Sequence, residues 1–228
     1  MDPHLAQLMA ASTAFVGTHF AMSHPLRASM VARLGERGFQ GVYSLVSLAT
    51  LGWMILAFRA APAGTPLWPG YDDVSWAVGT LIALPAMVLF AGSLMRANPA
   101  LPVPGAQGAA RAAPAGVFLV TRHPMMWGFA LWAASHIIAA PTGRTLIVAG
   151  AVLVLALVGS HLQDRKKIGQ MGEAWRAWQA ATAYWPRWTR LGAIGIGPWL
   201  AGLALWLGLS WLHLPAAGIP AGVWRWIG

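Results

Sequence analysis

The sequence predicts an all-α fold, a polytopic helical membrane protein with about six transmembrane helices and two cytoplasmic interfacial helices. Three observations predict it: 57% of the 228 residues are hydrophobic, only 9% are charged, and the mean hydropathy is +0.58. A water-soluble domain carries about 25% charge, so a soluble globular fold is excluded. No polar, charged linker interrupts the apolar runs, and residues 1–228 are expected to form one unit. The chain has no cysteine, which excludes disulfides, thiolate metal sites and cysteine nucleophiles.

Six apolar stretches approach the length of about 20 residues that a helix needs to cross a hydrocarbon core. They are residues 5–22, 41–59, 74–95, 124–140, 144–163 and 195–214. The first lacks the basic start of a cleaved signal, having Asp2 and no Lys or Arg before Arg27, and reads as a retained span. The fourth is short and opens at Arg122-His123-Pro124, where a proline is tolerated in the first helical turn. Twelve of the fifteen Lys and Arg residues follow the first, third and fifth stretches, leaving Arg59, Arg144 and Arg225 elsewhere. This positive-inside bias directs both termini away from the cytoplasm. The net charge of +9 therefore reports topology and not a nucleic-acid partner.

The connections differ in character. Segments 60–73 and 97–116 are rich in Pro and Gly, so neither is expected to be regular. In segment 25–38, Leu26, Met30, Val31 and Leu34 recur at helical spacing opposite Arg27, Arg33 and Arg37, predicting an amphipathic helix in the headgroup layer. Segment 164–180, basic and rich in tryptophan, predicts a second. Trp68, Trp76, Trp185, Trp188, Trp199, Trp224 and Trp226 lie near stretch ends, as in an aromatic belt.

Ionisable groups at membrane depth cost free energy and mark candidate sites. His19, His24, His123 and His161 fall near the cytoplasmic ends of their stretches; His4 and His213 fall near the outer ends and read as interfacial. His136 is the deepest. Arg27, Glu36, Arg37, Tyr43, Ser44, Arg122, Asp164 and Arg165 are expected at the same cytoplasmic boundary, where they form either a polar pocket or an ordinary basic surface. Counted at about 1.5 Å per residue, His19 lies roughly 8 Å to the inner side of its stretch's centre and His136 roughly 6 Å to the outer side of its own.

The run His19-Phe-Ala-Met-Ser-His24-Pro-Leu-Arg27, then Gly35-Glu36-Arg37, Tyr43-Ser44, Leu67-Trp68, Thr121-Arg122-His123-Pro124, Trp127-Gly128, Leu131-Trp132 and His136 resembles the NnrU family of bacterial membrane proteins. These motifs cover about residues 15–165, and the last stretch carries none of them. The resemblance implies the bacterial inner membrane and a link to denitrification and nitric oxide metabolism. The family is in turn similar to zeta-carotene isomerase, which holds haem b through two histidines and isomerises a polyene double bond. By that similarity the metal ligands fall on His19 and His136, with His24, Arg27 and Tyr43 as further cofactor contacts, and the isomerase's alternative thiolate falls on Ala133. Neutral imidazole is a chemically suitable iron ligand.

A weaker resemblance joins Arg122-His123-Pro124, Asp164 and Glu173 to the cofactor-binding half of isoprenylcysteine methyltransferases and membrane sterol reductases. It implies S-adenosylmethionine or NADPH at the cytoplasmic boundary, with Arg122, His123 and Asp164 as catalytic candidates. Three function classes result: a haem-dependent isomerase or redox protein acting on a lipophilic or gaseous molecule, a methyltransferase-like enzyme, and a non-enzymatic helper of a respiratory complex. The expected partners are the lipid bilayer, such a small molecule, and a membrane protein or second copy of the chain. No phosphate-binding Gly-Lys-Ser/Thr loop, no His-Glu-x-x-His and no Gly-x-Ser-x-Gly occurs.

Overall fold

The computed structural model describes residues 2–103 and 105–227. The described residues contain no strand. Their helices are α1 (Pro3–Ser23), α2 (Arg27–Ala60), α3 (Asp73–Leu94), α4 (Ala106–Arg111), α5 (Pro124–Ala139), α6 (Gly143–Met171), α7 (Glu173–Ala181), α8 (Ile196–Ala217) and α9 (Trp224–Ile227), with 3₁₀ turns at Gly116–Leu119 and Trp188–Ala193. Each of the six apolar stretches falls on one long helix. Four of these, α2, α3, α6 and α8, are long and apolar enough to cross a membrane. α5 has 16 residues, which at 1.5 Å per residue falls short of a hydrocarbon core of about 30 Å. α1 is diluted by Gln7, Ser12, Thr13, Thr18 and His19.

The boundaries follow from local chemistry. Asp2 caps α1 by accepting from the backbone N–H groups of His4 and Leu5 at 2.8 and 3.2 Å, and Pro3 opens the helix. α1 stops at His24, before Pro25. Asp72 caps α3 by accepting from the Ser75 backbone N–H at 2.9 Å and its hydroxyl at 2.8 Å. Thr142 caps α6, and Gly172, at φ 55°, ends it.

The segment expected as the first interfacial helix is present, but as the opening of α2. Gly35, at φ 71° and ψ 169°, breaks the helix there into two arms. Arg27 Nη2 and Glu36 Oε1, 2.6 Å apart, clasp the break, and the Arg27 guanidinium lies 5.3 Å from the Phe39 ring centroid. Leu26 and Leu34 are exposed beside it.

Segment 164–180 departs from expectation. Its first half continues α6, and α7 is a separate helix after Gly172. Trp175 and Trp178 are buried with Phe118, Ala100 and Ala110. This packing also overturns the expectation of irregularity across 97–116. The alanine-rich run Ala106–Arg111 forms α4 because Ala110 packs with Trp175 and Trp178 of α7. Trp76, assigned by sequence to the aromatic belt, is buried with Ala139 and Ala221 beneath the Arg225 guanidinium.

α3 is the central helix, packing on α5 along one side and α8 along the other, while α1 packs on α2 and α6. Two glycines permit the closest approaches. A Cβ on Gly128 of α5 would lie 2.8 Å from the Ala86 carbonyl oxygen, and one on Gly202 of α8 would lie 2.5 Å from Val88 Cα. Ala86, Val88 and Leu89 of α3 are consequently fully buried. Leu45, Leu48, Leu56, Leu81 and Ile196 are exposed on the long apolar helices, the pattern of a surface whose solvent is lipid.

Candidate functional site

The six long helices line a half-open cavity of about 750 Å³, within the range of about 300–1,000 Å³ typical of small-molecule sites. Most of its wall is apolar: Phe15, Phe20, Leu51, Met54, Met87, Phe90, Met126, Phe129, Trp132, Leu155 and Leu205 all contribute. Its polar side chains come from three elements, with His19, Ser23 and His24 on or just after α1, Tyr43 on α2, and Gln163 and Lys166 on α6. All six belong to the end of the bundle where α1 and α6 terminate, the end rich in basic residues. The chamber is thus apolar along its body and polar at one end.

Local geometry sets the chemistry of the two α1 histidines. The Nδ1 of His19 lies 2.6 Å from the Phe15 carbonyl oxygen one turn earlier. A carbonyl only accepts, so Nδ1 donates and the neutral ring keeps its lone pair on Nε2. The His19 ring meets Tyr43 edge-on at 5.4 Å and Phe15 at 4.4 Å, which fixes its orientation. Both ring nitrogens of His24 are buried without a hydrogen-bond partner. Both nitrogens are therefore open to a hydrogen-bond or coordination partner placed in the cavity. The Ser23 hydroxyl donates to Tyr43 Oη at 3.4 Å, leaving the phenol O–H free to donate.

The three catalytic candidates lie together, but elsewhere. Arg122 grips Asp164 in a fork, from Nε at 2.9 Å and Nη2 at 2.6 Å to Oδ2, while His123 Nε2 lies 2.8 Å from Oδ1. The Arg122 backbone N–H donates to the Ala183 carbonyl at 2.8 Å, and the Thr121 hydroxyl donates to the Tyr184 carbonyl at 2.8 Å. Arg122 and Asp164 edge a second, shallower concavity with His161, Tyr184 and Trp185. The His123 side chain has no exposed surface. Burial pulls its pKa below the ordinary histidine value, against the opposing hydrogen bond and charge of Asp164, while Arg122 adds to the fall. A neutral ring donating from Nε2 fits this setting, because the buried Nδ1 then carries a lone pair and not an orphaned proton. The network ties the start of α5 to α6 and to the segment after α7. Glu173, the acid expected to complete a nucleotide-cofactor site, is exposed and ion-paired with Arg176 at 3.5 Å, outside this concavity.

His136 is not among the residues lining the large cavity. Its Nδ1 is held by the Trp132 carbonyl at 2.8 Å, its ring lies 4.3 Å from the Trp132 ring, and 6.1 Å away is the ring of His213. Trp132 and Leu209 do line the cavity, so His136 and His213 each sit one helical turn beyond its wall. Arg27, clasped to Glu36, also stands outside the lining. Among the described residues, no group of three or more His, Asp or Glu side chains is placed to hold a metal ion.

Residue-by-residue reading missed Lys166, which it counted only as a loop cation. The signal was present: Val152, Leu155, Gly159, Gln163 and Lys166 recur at helical spacing and share the cavity-facing side of α6. α6 continues to Met171, past the expected end of its span near residue 163. His213, read as an isolated interfacial residue, is the neighbour of His136.

No curated protein and no solved structure matches this chain. A family model described as NnrU protein matches residues 7–221, reaching from α1 past the end of α8 and so including the last long helix, where no motif was recognised. With a match of that extent across the helices that build the chamber, the chain belongs to the NnrU family.

Proposed function

We propose that this NnrU-family protein is embedded in the bacterial cytoplasmic membrane with its basic loops inside, that its chamber holds an amphipathic, membrane-dissolved molecule, and that haem b is the cofactor bound there. One observation carries the reading. A largely apolar cavity of about 750 Å³ presents, on one wall, an imidazole with a free Nε2 and a second imidazole with no partner for either nitrogen.

The residues fit the group. Haem b is a flat apolar macrocycle with two carboxylate arms, and its iron binds neutral imidazole nitrogen. His19 would supply that nitrogen, with its Nδ1 bond to Phe15 setting tautomer and orientation as in other metal-bound histidines. Phe90, Phe129 and Trp132 would flank the ring, and Lys166 would face a carboxylate arm. When bound, the iron supplies a redox centre suited to a gaseous ligand or to a polyene double bond. The chain's own residues bind and orient: the apolar wall excludes water, Tyr43 packs edge-on against His19, and the Phe15 carbonyl holds the Nδ1 proton. His136, the second ligand that the isomerase resemblance implies, does not line the chamber, so this reading rests on His19. A role in nitric oxide metabolism or in carotenoid isomerisation is the physiological form this reading takes.

The test is an absorbance spectrum of detergent-purified protein, oxidised and then dithionite-reduced, after haem-supplemented expression. A Soret band is expected that is lost in His19→Ala and kept in His4→Ala, a histidine exposed at the start of α1. A wild-type protein without that band overturns the haem assignment.

A further inference from the structure

The cations at the polar end of the chamber are not balanced. Lys166 lines the wall and is half-buried; its neighbour Lys167 is 5% exposed. Neither forms an ion pair among the described residues. Arg27 is within Coulombic reach of both lysines, and Glu36, the acid near Lys166, is already committed to Arg27 at 2.6 Å. Three cations thus share one carboxylate. Among the described residues, no Asp or Glu lines the chamber. A charge at an apolar wall is costly unless it is paired, and the cost is recovered when a counter-charge arrives.

Two of the remaining polar groups there can donate as well. Tyr43 has its O–H free, and His24 has two ring nitrogens with nothing to bond. Gln163, by contrast, spends one amide N–H on the Ala100 carbonyl. A cationic head would add to the positive charge at this end and leave the Lys166 ammonium and the Tyr43 O–H without an acceptor. An acid group satisfies them, with two or more oxygens to share among an ammonium, a phenol and an imidazole. The body of the ligand would then lie along Phe90, Trp132 and Met87.

We propose that the chamber selects an anionic amphiphile, a molecule with an apolar chain or ring system and a carboxylate or phosphate head, and that Lys166 is the residue that recognises the head. This rests on the reading that the chamber is a binding site, but not on haem or on any iron ligand: haem b and the amphiphile would be alternative occupants of the one cavity, and the titration below uses protein free of haem. Lys167 and Arg27 act through the field they add at Lys166; Lys166 alone of the three reaches the wall.

The experiment titrates detergent-purified protein with 9,10-dibromostearic acid, 9,10-dibromostearyl phosphate and 9,10-dibromostearyl alcohol, reading bromine quenching of tryptophan fluorescence. The part of the quenching that Trp132→Phe removes reports the chamber. The acid, the phosphate or both should bind at least tenfold more tightly than the alcohol, and which of the two is favoured assigns the head group. Lys166→Gln should bring the charged probes to within about threefold of the alcohol without weakening the alcohol itself. Lys166→Arg should restore the preference, and Arg33→Gln, an exposed cation of the same basic end, should leave it intact. Equal binding of all three probes to the wild type would overturn the proposal and leave the chamber standing. Quenching that does not depend on Trp132 with any probe would overturn both.

Discussion

His123 Nε2 lies 2.8 Å from Asp164 Oδ1, joining the residue before α5 to the last third of α6 with a side chain that has no exposed surface. Burial holds this imidazole below its usual value of 6.5, and Asp164 only partly offsets the effect. Because the folded value is below the unfolded one, the neutral ring contributes stability above the ordinary histidine range. That contribution is lost as pH falls through the folded value. The thermal midpoint in detergent should therefore be flat from about pH 8 to 7 and decline below about pH 6. His123→Gln, whose amide N–H can replace the ring donor, should flatten the decline; an unchanged acid limb would place the loss at another group.

Removing Asp164 should be far more damaging than removing a surface acid. Asp164→Ala leaves the Arg122 guanidinium, whose side chain is 12% exposed, without its counter-charge, and breaking a buried pair from one side costs about 3–5 kcal/mol. Arg122→Lys should not rescue the contact, because an ammonium cannot reproduce the two-pronged bond from Nε and Nη2. Chemical unfolding of the detergent-solubilised variants, compared with Glu173→Ala, measures both effects. Equal stability of Asp164→Ala and Glu173→Ala would refute the structural role of the network.

The contact between α3 and α8 should tolerate no side chain at Gly202. A Cβ there would lie 2.5 Å from Val88 Cα, a backbone atom that cannot rotate away. Gly202→Val should cost about 1–3 kcal/mol by overpacking and loosen the chamber wall that Leu205 and Leu209 build. At Gly208 of the same helix, a Cβ would meet nothing within 4 Å. Gly208→Val serves as the control, and a comparable loss of thermal stability there would mean that helix propensity, and not the close approach, sets the cost.

The break at Gly35 should straighten or strain when a side chain is added. Its φ of 71° with ψ of 169° is a backbone region reserved for glycine, where another residue costs about 1–3 kcal/mol. The chain contains no native cysteine, so spin labels placed at Met30 and Ser47 report the distance across the break directly. Gly35→Ala should lengthen or broaden that distance, and Glu36→Gln, which loses the ion pair with Arg27, should broaden it less. An unaltered distribution in Gly35→Ala would show that the bend is held by packing alone.

Much of the architecture is readable from composition and spacing. Runs of apolar residues bounded by Asp2, Asp72, Thr142, Pro25 and Gly172 specify the long helices, because capping and chain-breaking act within a few residues of where they are written. The family motifs likewise singled out His19, His24 and Tyr43, which the fold does bring to one cavity wall. What could not be read was the rotation of each helix about its own axis. On α5 and α8 nearly every face is apolar, so periodicity gives no direction. Close packing of Gly128 and Gly202 on α3 decides instead that Trp132 and Leu209 face the chamber, while His136 and His213 face each other one turn beyond it. The sequence by itself determined which segments become apolar helices and which of their ends is basic, since both depend on local chemistry. Only the tertiary structure decided that Lys166 joins the histidine wall and that Arg122, His123 and Asp164 close into a buried tie, because those meetings are settled by contacts between helices far apart in the chain.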